Sequence, residues 1–466
     1  MTRPHVRAAL CASCLLCAVP AIAADDSDLD RIPPAASGLP TADAAAGTRS
    51  FYLQDDIAAY SDRASLAVPL PPSSAPSWEE RLFLDARFDW TLSDTLSLVY
   101  SGRLNLRAED DLPFPSHETI RHDFREGYLA WRIGDGTFLE LGRINLKSGV
   151  AQGFNPTDFF KTRAVVEPLT ADPTVLREDR LGTVMLLGQS VWNGAALTVA
   201  LAPKLEGASP IYANDNLPSF NPMFDRTNPD TRILVKASVT LFDDVSPEFL
   251  FYNEAGRSSF GLNLTRAFGQ SIVGYVEWAG GDRSSLVHDA LVFGRATATL
   301  PPAAPSIIPQ SAASSFENDL SVGASYATES EMTLDLEYHY HRTGFSDADW
   351  QNWFGVGAVS AGSAAALGAL WYIRSYANDR QEPLARSSIF IRASWQDAIV
   401  HDLALSAFVD ADTRDGSGIA QITADYYLSR DWTAGALMDV NFGARRSDFG
   451  SLPQSTSVLA KLSHYL

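Results

Sequence analysis

Charged side chains of both signs recur at every second position of several short segments. Alternate side chains of a β-strand point to opposite faces, so these charges would share one face while apolar residues occupy the other. We expect the charged face to line an aqueous lumen, where side chains select solutes by charge. The candidates for this role are Arg81, Asp85, Arg87, Asp89, Arg103, Arg107, Glu126, Arg132, Glu140, Arg143, Asp335, Glu337 and His339.

The charges of the first predicted strands allow two interpretations. Opposed basic and acidic stripes would set a transverse field that orients a polar or anionic solute. Alternatively, the charges pair with one another and only fill the wall. Glu126 and Arg143, on strands joined by a short turn, could meet as such an ion pair. The sequence leaves both interpretations open.

A long segment, residues 147–180, follows the strand that ends near Arg143. Asn155 before a proline favours a turn, and Asp158 is expected to cap a short helix through the next two phenylalanines. The segment either folds into the lumen as a constriction or lies over the mouth of the lumen. Its constriction candidates are Lys147, Asn155, Asp158 and Arg163.

Two histidines, His339 and His341, share one predicted face with Asp335 and Glu337 and could bind a divalent metal. A dedicated metal site usually takes its ligands from several elements, so we expect neither a metal nor another cofactor. Trp350, Trp353, Phe354 and Trp371 lie in a loop segment that could form a short helix. We expect these rings to pack the loop onto the wall or to plug the barrel.

The elements that position these residues are predicted from the apolar positions and the turns. Apolar side chains alternate with the charges, and short turns alternate with long connections, as in outer-membrane barrels. The short turns are predicted at residues 92–94, 134–136, 192–194, 243–246, 269–270, 328–330, 397–399 and 429–431. We therefore predict an all-β fold, a single transmembrane antiparallel β-barrel of about 18 strands, with 16 as the fallback. An additional first strand is expected in residues 49–60 or 62–70.

The amino terminus has the pattern of a secretory signal peptide. Arg3 and Arg7 precede a short apolar segment that ends in a small-residue cleavage site, so residues 1–23 are predicted to be removed. All three cysteines lie in this segment. We expect residues 24–47 to be a flexible periplasmic segment and residues 48–466 to form the barrel in the outer membrane of a Gram-negative bacterium.

The formal net charge of −20 disfavours nucleic acid as a partner. The expected partners are outer-membrane lipid, a small-molecule solute, and a periplasmic or inner-membrane transport protein. After the signal segment, no run of about 20 apolar residues predicts a membrane helix.

Three short motifs between residues 125 and 190 carry a resemblance to a known group of barrels. They are Arg125-Glu126-Gly127-Tyr128, Leu141-Gly142-Arg143 and Asn155-Pro156-Thr157-Asp158. In this respect the chain resembles uncharacterised proteobacterial outer-membrane barrels related to alginate-export porins. A tryptophan-glycine pair of that group is absent, and Ile144 replaces its usual glutamine. The resemblance implies a barrel fold, an outer-membrane location and a role in export.

The expected function is an outer-membrane channel, porin or export type, for small polar or anionic solutes. We expect no enzyme, because no G-x-S-x-G motif supports the serines Ser388, Ser394 and Ser406 as nucleophiles. The alternatives are an outer-membrane barrel enzyme that hydrolyses lipid or peptide, and a structural or adhesin barrel.

Overall fold

The computed structural model describes residues 48–71, 76–109, 120–166, 169–211, 221–241, 245–300, 308–309 and 313–466. The predicted signal peptide (residues 1–23) and the segment after it (residues 24–47) lie outside the described residues.

The chain forms one antiparallel sheet of 18 strands. Each strand pairs with its neighbours in sequence, and β1 also pairs with β18, so the sheet closes into a barrel. The strands are β1 (Thr48–Asp62), β2 (Trp78–Ser93), β3 (Leu96–Glu109), β4 (Ile120–Gly134), β5 (Thr137–Ile144), β6 (Thr183–Trp192), β7 (Ala195–Ala202), β8 (Arg232–Val239), β9 (Glu248–Glu254), β10 (Arg257–Phe268), β11 (Ile272–Arg283), β12 (Ser315–Ala327), β13 (Met332–His341), β14 (Ser387–Trp395), β15 (Leu403–Asp412), β16 (Gly418–Tyr427), β17 (Trp432–Phe442) and β18 (Gln454–Tyr465). The predicted 18-stranded barrel is confirmed, and the additional first strand is the one expected in residues 49–60.

Apolar side chains face outward and polar side chains face the interior. On β13, the outward side chain of Leu336 is 57% exposed, whereas its neighbour Glu337 is 1% exposed. Leu141 on β5 and Ile391 on β14 are likewise more than half exposed. Because this arrangement is the reverse of a water-soluble protein, the outer surface is suited to hydrocarbon.

The connections differ in length at the two ends of the barrel. The eight predicted turns all fall at junctions of one end, although residues 242–244 of one of them are not described. The other end carries the long loops and two short connections, the five residues 413–417 between β15 and β16 and the two-residue turn Ala255–Gly256 between β9 and β10. Both residues have positive φ, 50° and 86°, as in a tight two-residue hairpin. The sequence analysis did not predict this turn.

Helices occur in the connections, and three of them pack together at the long-loop end. The short ones are α1 (Pro173–Glu178) and α2 (Phe224–Thr227), and the three that pack are α3 (Leu286–Ala296), α4 (Asp347–Val359) and α5 (Ala364–Asp379). We call α3, α4 and α5 the cap helices. No helix within the described residues is both long and apolar enough to cross a bilayer.

The cap helices share a buried apolar cluster that includes Trp350, Trp353, Leu370 and Val68. The loop tryptophans thus lie in helices, as the sequence allowed, and they pack among the cap helices. Whether the cap helices plug the barrel stays a prediction. The connection between β11 and β12 contains α3, because Leu286, Ala290 and Leu291 bury one face of this helix against the cluster.

We expect Ile391→Arg to lower the free energy of unfolding by about 2–4 kcal/mol, the cost of an arginine near the bilayer midplane. Ile391 is the central residue of β14 and points outward. Urea unfolding of the protein in lipid vesicles, followed by tryptophan fluorescence, measures this loss. Thr423→Arg is the matched control, since Thr423 faces the lumen from the middle of β16. Equal losses in the two variants would contradict the assignment of the faces.

Candidate functional site: the lumen and its crossing loop

The segment between β5 and β6, residues 145–182, is called the crossing loop. Its described residues, 145–166 and 169–182, lie in the barrel interior. Glu277, fully buried on β11, accepts hydrogen bonds from the backbone N–H groups of Val150 and of Ala151, the latter at 2.5 Å. β11 is remote from β5 in the sheet order. The crossing loop therefore reaches a distant part of the wall.

A second buried carboxylate binds the next two residues of the crossing loop. Glu337 on β13 accepts hydrogen bonds from the backbone N–H groups of Gln152 at 2.5 Å and Gly153 at 2.9 Å. The Ser321 hydroxyl of β12 donates to the carbonyl of Phe154 at 2.5 Å. Two glutamates thus bind four consecutive backbone N–H groups, at residues 150–153.

The second half of the crossing loop contacts another part of the wall. The side-chain oxygen of Gln421 on β16 accepts hydrogen bonds from Thr170 and Ala171, each at 2.9 Å. Asp172 forms an ion pair with Arg392 of β14 at 3.2 Å. Leu169 packs on Ala58, Leu437 and Leu459 of β1, β17 and β18.

Between these two anchors, aromatic side chains fix the loop to the short strands. Phe159 stacks on Tyr252 of β9 with a 4.6 Å distance between ring centroids, and Phe160 meets the same ring edge-on. The inward residues of β6–β9 in this cluster are apolar, including Met185, Leu187 and Leu234. The sequence left open whether the loop enters the lumen or covers the mouth, and the contacts place it in the lumen.

An ion pair closes the crossing loop on itself. The guanidinium group of Arg180 donates to Asp158 at 2.9 Å, and both side chains are buried. Burial alone would raise the pKa of Asp158, but Arg180 and Arg177 hold that pKa below its ordinary value. The predicted helix capped by Asp158 is wrong, because this carboxylate binds arginine and the turns at residues 156–157 and 159–160 do not continue into a helix.

The other predicted constriction residues also lie in the crossing loop. Asn155 directly precedes the expected turn at residues 156–157. Its side-chain amide donates to the carbonyl of Ala151 at 2.6 Å and to Glu277 at 3.2 Å. Lys147 pairs with Glu178 at 2.6 Å. Arg163 pairs with Asp379, at the end of α5, at 3.0 Å. The crossing loop is therefore tied to the cap helices as well as to the wall.

The arginines on the lumen side of β2–β4 are paired with carboxylates. Arg103 binds Asp85 at 2.6 Å and also binds Asp179 of the crossing loop. Arg125 binds the same two carboxylates, at 3.1 Å and 2.9 Å. These two arginines therefore hold the end of the crossing loop against the wall.

Three further arginines of this wall are also paired with carboxylates. Arg81 and Arg107 both contact Glu79, the latter at 3.7 Å. Arg87 bridges Asp89 and Glu126, at 3.3 Å each, and its side chain is 45% exposed.

Three other predicted lumen residues are Arg143, Arg132 and Glu140. Arg143 is buried and donates to the carbonyl of Gly182 at 2.8 Å, so the predicted ion pair between Glu126 and Arg143 is wrong. Glu126 and Arg143 are not opposite each other, because the register partner of Arg143 on β4 is Gly127 and that of Glu126 on β3 is Ser101. Glu126 pairs with Arg87 instead. Arg132 donates to the carbonyl of Asp94 at the short-turn end, and Glu140 is buried on β5.

The histidines of β13 bind neighbouring side chains. His339 lies between Glu337 at 2.6 Å and Ser388 at 3.2 Å, and His341 contacts Asp319 at 2.9 Å. Asp335 accepts a hydrogen bond from Ser325. Among the described residues, the group whose ligand atoms come within 4.8 Å of one another is a different one, Asp397, His401 and Asp402 in the turn after β14.

Sequence reasoning missed Glu277, Gln421, Arg125 and Asp179, which all bind or position the crossing loop. The first two occupy inward positions of strands that the alternation predicts. Their sequence separation from their partners in the crossing loop exceeds 100 residues, and no local pattern encodes such a contact.

Similar folds occur among solved outer-membrane structures. OccK11 (OpdR) of Pseudomonas aeruginosa has a TM-score of 0.50 at 12% identity, over 90% of this chain and 96% of that chain. OpdQ of the same organism and OccAB1 of Acinetobacter baumannii each have a TM-score of 0.51 at 9% identity, over 90% of this chain. The alignments cover 98% of OpdQ and 96% of OccAB1. The chain thus has the fold of a porin-type barrel.

No protein-family model and no curated protein sequence matches the chain. The resemblance to alginate-export porins is not supported, since the likeness in fold is to Opd and Occ structures. The motifs that suggested this resemblance are short. Residues of these types also occur where a barrel needs only a strand, a turn or a contact between arginine and a carboxylate.

Proposed function

We propose that the chain forms a porin-type channel in the outer membrane of a Gram-negative bacterium, through which small polar solutes pass. The observation that carries the proposal is the position of the crossing loop. It covers the inner faces of β6–β13, also touches β3, β4, β14, β16–β18 and β1, and leaves some charged groups of β2–β4 and β16–β18 partly exposed. Among these are Arg87, Lys461 and Asp425, whose side chains are 45%, 24% and 15% exposed.

The selection of solutes would depend on these lumen charges and on the width of the passage between the crossing loop and the barrel wall. The expectation of anionic solutes depended on free arginines. Since Arg81, Arg87, Arg103 and Arg107 are paired with carboxylates, the pairing supports a preference for polar solutes and weakens the argument for anions. A role in export, with a periplasmic or inner-membrane partner, remains a proposal.

An enzymatic role has one observation in its favour. Ser388, His339 and Glu337 are in hydrogen-bond contact in that order, as in a serine hydrolase triad. However, Gly153 lies against the His339 ring, Phe390 stacks on that ring, and the three side chains are buried. A substrate has no access to Ser388 in this arrangement, so we favour a channel without catalysis.

Purified protein inserted into planar lipid bilayers should give stepwise currents in 1 M KCl. Single-channel recording measures them, and each step corresponds to one open lumen. A heat-denatured sample of the same preparation is the control for detergent and contaminants. A folded, inserted barrel that never conducts would contradict the proposal and favour a structural role.

A further inference from the structure

One sector of the lumen wall carries acidic side chains in excess. The strands β1 and β15–β18 place Asp56, Asp410, Asp425 and Asp439 at inward positions, and we call these four carboxylates the acidic wall. Their inward orientation follows from the register. Asp439, for example, is the partner of Ser457 and Gln421, whose side chains are buried.

Positive charge is scarce on the same five strands. Lys461 of β18 is inward and pairs with Asp425 at 2.8 Å. Arg49 of β1 is the register partner of Phe88, on the lipid side. One lysine therefore stands against the four carboxylates of the acidic wall. A fifth inward carboxylate, Asp412 at the end of β15, pairs with Arg414 of the following turn at 3.4 Å, and the structure describes every residue of this sector.

Two carboxylates of the acidic wall lack a full set of donors. Asp439 is 9% exposed, and its Oδ2 atom accepts a hydrogen bond from Ser457 at 3.0 Å. Its Oδ1 atom has no hydrogen-bond donor among the described residues, and the same holds for Oδ1 of Asp410. A buried carboxylate oxygen without a donor is costly, and a passing cation can supply the missing contact.

The facing wall does not offset this charge. Six of the seven arginines of β2–β4 are bound to a carboxylate of their own wall or of the crossing loop, as the contacts of Arg103 and Arg125 with Asp85 and Asp179 illustrate. Arg121 is bound to Asp123 in the same way, at 2.7 Å. The seventh, Arg132, lies at the short-turn end and donates to the carbonyl of Asp94. The arginines along that sector are therefore almost all offset by carboxylates, and of these two sectors the one with carboxylates in excess is the acidic wall.

We infer that the channel prefers cations and that the acidic wall selects them. Its ligands would be inorganic cations and the ammonium or guanidinium groups of small solutes, which can donate to carboxylate oxygens. Asp410 and Asp439 are the specificity-determining residues, because Lys461 neutralises Asp425 and the Gln54 amide donates to Asp56 at 2.7 Å. This inference rests on the proposed channel function.

The test is the reversal potential of the wild-type channel in a KCl gradient across a planar bilayer. We expect the sign that corresponds to K⁺ permeating faster than Cl⁻. In the double variant D410N/D439N the reversal potential should move toward zero, because two unpaired negative charges leave the passage. The control D135N removes one negative charge from an exposed turn between β4 and β5 and should leave the reversal potential unchanged.

The outcomes separate the inference from the function on which it rests. A wild-type protein that inserts without conducting would refute the channel itself. A conducting wild type that prefers Cl⁻, or a folded D410N/D439N variant with an unchanged reversal potential, would overturn the cation preference and leave the channel intact. The characteristic shift of a folded barrel in an unboiled gel confirms that the variant is folded.

Discussion

Replacement of Glu277 and Glu337 together by glutamine should raise the single-channel conductance and the noise of the open current. Glu277 and Glu337 bind the four backbone N–H groups of residues 150–153. A glutamine offers one acceptor oxygen and directs its NH₂ group at another donor. Each lost hydrogen bond to a charged acceptor costs about 1.5–3 kcal/mol, so the crossing loop should detach from β11 and β13.

Single-channel recording in symmetric KCl measures the conductance of this double variant. Asp335→Asn is the matched control, because Asp335 lies on β13 beside Glu337 and bonds to Ser325 rather than to the crossing loop. We expect its conductance to match the wild type. If the double variant folds and conducts as the wild type does, the two glutamates do not hold the constriction in place.

The barrel itself is predictable because its residues alternate at a period of two. On β13, Leu334, Leu336 and Tyr338 alternate with Asp335 and Glu337, and the two sets occupy opposite faces of the wall as the sequence analysis expected. A slip of one residue would place carboxylates in hydrocarbon, so the alternation fixes the register as well as the strand.

The lumen is less predictable, because small irregularities redirect its side chains. The register between β3 and β4 shifts between Ser101 and Gly102, so that Ser101 pairs with Glu126 and Gly102 with Phe124. Arg125 is the extra residue of this bulge, and its guanidinium group reaches Asp85 and Asp179. Strict alternation would have placed Arg125 on the lipid face, which is why it was not among the predicted lumen residues.

The crossing loop illustrates a second limit. The sequence identified it from its length and gave Asn155 as the start of a turn, and the structure agrees. It did not identify what the loop binds, because Glu277 follows Val150 by 127 residues in the chain. Such contacts depend on closure of the barrel, which brings β5 and β11 to face each other across one lumen.

Arg180→Met should lower the free energy of unfolding by about 3–5 kcal/mol, the cost of leaving one partner of a buried ion pair alone. Asp158 would keep only the more distant Arg177, at 3.8 Å. Thermal unfolding in detergent, followed by circular dichroism, measures the loss. The matched control is the double variant D158L/R180M, which removes both charges and should recover much of the lost stability.

The dependence on pH distinguishes an ion pair from a simple packing contact. Burial disfavours the charged form of Asp158, but its arginine partners hold its pKa below the ordinary value. Its contribution to stability is therefore present above about pH 3.9, the value for an unfolded chain, and is lost as the pH falls toward the lower pKa of the folded protein. Removal of Arg180 abolishes this contribution, so the stability gap between wild type and Arg180→Met should be widest near neutral pH and should narrow below about pH 4. A gap that stays constant from neutral to acidic pH would show that Arg180 acts through packing alone, and the crossing loop would then be closed by contacts other than its buried charge pair.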